Sequence, residues 1–67
     1  MKPTKEQIEL AAAAIANARG GRRGMPPVSN VLDMLKSVSP TLHAEVMEDA
    51  EAALMVVFDM EDSDSTQ

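Results

Sequence analysis

The segment SPTLHAEVMEDAEAALMVVFDM, residues 39–60, carries more apolar positions than one narrow helix face can hold. Leu42, Val46, Ala50, Ala53 and Val57 recur three or four residues apart, the spacing of a helical stripe. Met47, Leu54, Met55 and Phe58 fall beside that stripe and widen it. Ser39 and Pro40 provide a start signal, because serine caps a helix and proline is tolerated at its first position. The pattern predicts a helix over about residues 40–60. A strand over Leu54-Met55-Val56-Val57-Phe58 is the alternative, since periodicity does not separate a buried strand from a buried helix end. No second strand is evident to pair with it.

Two shorter helices precede this one. Thr4 opens a T-x-x-Q pattern with Gln7 in third position, a capping box that starts a helix near residue 5. Ile8, Ala11, Ala12, Ile15 and Ala18 follow at helical spacing, and Gly20 and Gly21 are the expected stop. The first helix is placed at about residues 5–19. Val28, Val31, Leu32, Leu35 and Val38 repeat at three and four residues behind Pro26 and Pro27, predicting a second helix over about residues 27–38. The reading is an all-α, three-helix domain over residues 1–60, followed by an acidic, solvated tail, EDSDSTQ, over residues 61–67. Two short helices do not easily cover the girth of the third. A homodimer is therefore expected, with Met47, Leu54, Met55 and Phe58 as its self-association face.

Sixty-seven residues allow one small domain, which buries a modest share of its surface unless metal, disulfide or association helps. The chain has no cysteine, so disulfides, thiolate zinc sites and thiol catalysis are unavailable to it. Phe58 is the single aromatic residue, and alanine and methionine fill the apolar positions. No apolar run approaches the roughly 20 residues of a membrane span, and the N-terminus carries no signal-peptide core. A cytoplasmic location is expected. The net charge of −5 hides a split: residues 1–36 hold all six basic groups against three acids, while residues 37–67 hold eight acids and no lysine or arginine. Such a split steers partners, or attracts one subunit to another.

Between the first two helices lies ARGGRRGMPP. A phosphate-binding P-loop needs G-x-x-x-x-G-K-[ST] after a strand; the lysine and hydroxyl are missing here, and a helix precedes. Arg19, Arg22 and Arg23 can grip phosphates, but the basic field is narrow and stacking aromatics are lacking. The other readings are a connection whose arginines pair with acids of this chain or its dimer mate, and a contact with a protein partner. The second charged stretch, HAEVMEDAEA, holds His43, Glu45, Glu48, Asp49 and Glu51. His43 has valine and methionine at its helical neighbours 46 and 47, and neither a zinc motif nor a calcium loop is present. Glu48 and Glu51 share a face, yet carboxylate pairs need a pocket to act as acid and base. These acids read as a solvated face. Continued by Asp59, Glu61, Asp62 and Asp64, they can also imitate phosphate rows and occupy a basic groove on another protein. Ser29, Ser37 and Ser39 sit at helix or cap positions without a nucleophile elbow, so an enzyme is not expected and no cofactor or metal is called for.

The opening KPTKEQIELAAAAIANA and the later EVMEDAEAALMVV resemble a class of short helical proteins encoded by bacteriophages and prophages, which often begin T-x-E-x-I-E-x-A-A-x-A-I and close with an A-x-A-A-L helix. The resemblance covers about half of the chain. It implies a cytoplasmic accessory protein that binds and redirects a host protein, with anti-CRISPR and other anti-defence inhibitors among the possibilities. The class has no catalytic motif, so no active residue carries over, and the central GGRRGMPPVSN departs from any one inhibitor family. The expected function is non-enzymatic occupation of a host-protein surface, with Arg19, Arg22, Arg23, Glu45, Glu48, Asp49 and Glu51 as partner contacts. The alternatives are a small nucleic-acid-binding regulator and a structural assembly subunit.

Overall fold

The computed structural model describes the backbone of residues 2–65 and the side chains of residues 2–60. Within them the chain forms three helices, α1 (Lys5–Arg22), α2 (Val31–Val38) and α3 (Pro40–Ser65). No strand occurs among the described residues, and residues 54–58 are helical.

The start of α1 is set by local chemistry. Thr4 Oγ1 accepts from the Gln7 amide at 3.1 Å, and Gln7 Oε1 accepts from the Thr4 amide at 2.8 Å. Two of the amides orphaned at a helix start are thereby satisfied. Glu6 in the first turn and Arg19 and Arg22 in the last complement the helix dipole.

The end of α1 differs from the expected stop at Gly20 and Gly21. Both glycines are helical, the helix continues to Arg22, and the left-handed residue is Gly24, at φ 84°. The Met25 amide donates to the Gly20 carbonyl at 2.9 Å, and the Gly24 amide donates to the Gly21 carbonyl at 3.0 Å. This is the paired closure of a Schellman motif. Met25 folds back over Gly20, where an added Cβ would lie 3.6 Å from the methionine Cβ.

The second helix starts at Val31, later than expected, and Pro26 and Pro27 stay outside it. The cause lies in α1. Asn17 Nδ2 donates to the Val28 carbonyl at 3.1 Å, and the Val28 amide donates to Asn17 Oδ1 at 3.0 Å. Both backbone groups of Val28 are committed to α1, so the connection runs as a strap along that helix before α2 begins. Asn30 takes the cap position without a side-chain hydrogen bond. α2 ends where the Ser39 amide donates to the Leu35 carbonyl at 2.8 Å.

Ser39 caps α3 as its sequence suggests: its Oγ accepts from the Leu42 amide at 3.4 Å and its carbonyl from the His43 amide at 3.0 Å. The helix runs past residue 60 through residue 65 of the expected acidic tail; residues 66 and 67 lie outside the described residues. Residues 61–65 contain neither glycine nor proline, and extending a formed helix is far easier than nucleating one.

The core is thin and built from small side chains. Ala12, Val31, Leu35, Val46 and Ala50 are buried, with Ile8, Ile15, Val28, Leu32, Leu42 and Met47 packed around them. Alanines at the centre allow the backbones of α1 and α3 to approach closely, and these two helices share the largest interface. Val46 is the largest fully buried side chain among the described residues; its burial contributes about 1.5–3 kcal/mol. Several residues of the predicted stripes lie outside this core: Ala18, Val38 and Ala53 are exposed or at its margin, and Val57 is 48% exposed. No helix of the described residues is long and apolar enough to cross a membrane.

Candidate functional site: an apolar groove edged by arginine

The strap and α2 enclose a groove against the end of α1 and the start of α3. Its volume is about 280 Å³, just below the roughly 300–1,000 Å³ of small-molecule sites. Gly20 on α1, Met25 on the strap, Met34 and Val38 on α2, and Leu42 and Val46 on α3 line it, and Arg19 and Arg23 stand at its edge. The Schellman closure turns Met25 back over α1, and Asn17 holds Val28 against the same helix. Met25, Met34 and Val38 remain exposed, Val38 by 76%. Methionine at such a rim adapts to varied apolar shapes.

The predicted partner contacts separate into two groups. Arg19 Nη2 donates to Asp49 Oδ2 at 3.1 Å, joining the end of α1 to α3. Both side chains remain substantially exposed, so the pair contributes about 0–1 kcal/mol. It matches the reading in which an arginine of the connection pairs with an acid of the same chain. Arg22 and Arg23 are exposed. Glu45, Glu48 and Glu51 are exposed as well, and no hydrogen bond or ion pair among the described residues engages them.

Met47, Leu54, Met55 and Phe58, the expected self-association face, are each half-buried, and Met47 packs against the core. The barest large apolar side chains of this segment are Val56 (60%), Val57 (48%) and Met60 (63%). They extend the stripe begun by Leu42 and Val46: Ala53, Val56, Val57 and Met60 repeat at three and four residues on the same side of the helix. The stripe is covered over its first half and open over its second.

His43 is half-buried. Among the described residues no group of three or more histidine, cysteine, aspartate and glutamate side chains is gathered closely enough to hold a metal ion. Every buried side-chain nitrogen and oxygen among them has a hydrogen-bond partner. Asn17 escaped the sequence reading. Its signal is a weak helix former inside a run of strong ones, AAAAIANA, which marks a position where the amide is needed more than the propensity. Comparisons with protein-family models, curated proteins and solved structures return no match to this chain.

Proposed function

We propose that this chain is a small, non-enzymatic binding protein of the phage accessory type, acting as a homodimer in the bacterial cytoplasm to occupy, and so inhibit or redirect, a host protein. One observation carries the reading. Large apolar side chains stand in solvent around the groove and along the end of α3 of a very small protein, and bare apolar patches of this kind mark protein association. Apolar burial supplies most of the affinity between the two copies, and the exposed acidic face of α3 is left to meet the host protein. Exposed Arg22, Arg23, Glu45, Glu48 and Glu51 orient the encounter and set its rate.

The test is affinity capture from bacterial lysate by the full chain, run beside a Glu45→Lys, Glu48→Lys, Glu51→Lys variant. A host protein held by the wild type and lost by the variant supports the reading. Identical retention by both, or none by either, overturns it. Exposed Arg22 and Arg23 favour one competing reading, a nucleic-acid-binding regulator. Retention of DNA or RNA at physiological salt, abolished by Arg22→Glu and Arg23→Glu, would establish that reading instead. Engagement of Arg19 by Asp49 narrows the basic field open to a nucleic acid. An assembly subunit differs from both in associating beyond the dimer without a host partner, which light scattering across concentrations detects.

A further inference from the structure

The proposed homodimer leaves open which surfaces meet, and the structure holds two unfilled apolar features. One is the groove, whose edge carries Arg19 and Arg23 beside exposed Arg22. The other is the open half of the α3 stripe, Val56, Val57 and Met60. The second feature is acidic: exposed Asp59 lies beside it, and Glu61, Asp62 and Asp64 follow in sequence. Arg22 and Arg23, exposed and unpaired with the acids of α3 among the described residues, make the rim of the groove basic, whereas the open stripe lies in the acidic half of the chain. Each therefore offers what the other lacks, an apolar surface of matching character edged by opposite charge.

We infer that the open end of α3 seats in the groove of a second copy and receives the same segment in return. The inference rests on the homodimer reading and specifies its contacts. Reciprocity follows from the placement of the two features along one helix. Val46 lines the groove and Val57 lies 11 residues further along α3, about 16 Å at helical rise. A two-fold axis passing beside α3, midway between them, relates the open stripe of each copy to the groove of the other and closes the assembly at two chains. The side of α3 facing that axis carries Ala53, exposed and small enough for close approach, and Asp49, already held by Arg19. Val56, Val57 and Met60 then act as helical anchors in an apolar groove, while exposed Asp59 beside them faces Arg22 and Arg23. The exposed Glu45, Glu48 and Glu51 are left for a further partner.

The native chain has no cysteine, so introduced ones report contacts without ambiguity. Val38→Cys, at the exposed mouth of the groove, and Val57→Cys are prepared as separate full-length proteins, mixed in equal amounts and oxidised, with helicity checked by circular dichroism. The expected result is a mixed disulfide joining the two variants that exceeds either self-pair by about tenfold, given that only partners held within about 7 Å between Cα atoms are bridged. In parallel, sedimentation of the cysteine-free protein should give twice the 7.2 kDa mass of the chain, and Arg22→Glu with Arg23→Glu should weaken association about tenfold at low salt. A dimer in which the Val57→Cys variant cross-links mainly to itself, or one that does not respond to the arginine reversal, overturns the exchange while leaving the homodimer in place. A monomer at 100 µM (a concentration on the order of that used for weak dimers) overturns both.

Discussion

Replacing Asn17 by alanine sets two physical effects against each other. Helix propensity favours the change: alanine exceeds asparagine by about 0.6 kcal/mol in a helix interior. The strap opposes it. Asn17 makes hydrogen bonds of 3.1 and 3.0 Å to both backbone groups of Val28, in a partly buried position. At about 1 kcal/mol net for each, their loss costs about 2 kcal/mol, and more where the freed amide and carbonyl stay away from water. The balance is a destabilisation of about 1.4 kcal/mol, which lowers the midpoint of thermal unfolding by about 6–11 °C in a domain of this size. Urea unfolding gives the free energy, and amide exchange by NMR gives its location. The Val28 amide should lose its protection in Asn17→Ala under conditions where the amides within α1 keep theirs. Stabilisation by the variant would mean that propensity prevails and that the strap is not held by this side chain. Unchanged exchange at Val28 would refute the argument as directly.

Three further outcomes follow from the same structure. Gly21 is helical with nothing within 4 Å of an added Cβ, whereas Gly24 sits at φ 84°; Gly21→Ala should stabilise by up to about 1 kcal/mol and Gly24→Ala should destabilise by about 1–2 kcal/mol, measured by urea unfolding. Val46→Ala leaves a void in a thin core, where five of the described residues are buried, and should cost about 2 kcal/mol, with a matching drop in thermal midpoint. A double-mutant cycle on Arg19→Ala and Asp49→Ala should give a coupling below about 1 kcal/mol that fades with added salt, because both partners are exposed.

How much of this was legible beforehand depends on the reach of each interaction. The two caps that start α1 and α3, at Thr4 and Ser39, join residues three apart, and both were readable from the chain. The end of α1 was not. Three glycines in five residues made several stops available, and the choice of Gly24 depends on Met25 returning over Gly20. The start of α2 depends on Asn17, eleven residues from the backbone it holds, so no local pattern at Pro26 and Pro27 reveals it. The candidate site divides in the same way. That the arginines of the connection could pair within the chain was readable, but Asp49 as the partner of Arg19 required the packing of α1 on α3. The excess of apolar residues on α3 was plain from spacing, whereas the positions left bare were decided by where the other two helices lie.

Composition and periodicity by themselves determined that the chain is three helices with small residues facing inward, and that cysteine chemistry plays no part. Those properties are local, since capping, propensity and a repeat of three to four residues act within a turn or two. Only the tertiary structure decided that the strap closes a groove, that Val38 faces water, and that the stripe on α3 opens beyond Ala50. Side chains of equal hydrophobicity are indistinguishable in sequence. Burial is set by which backbone comes within contact distance, and in this protein that is arranged by Asn17, by the fold of Met25 over Gly20, and by the eight-residue length of α2.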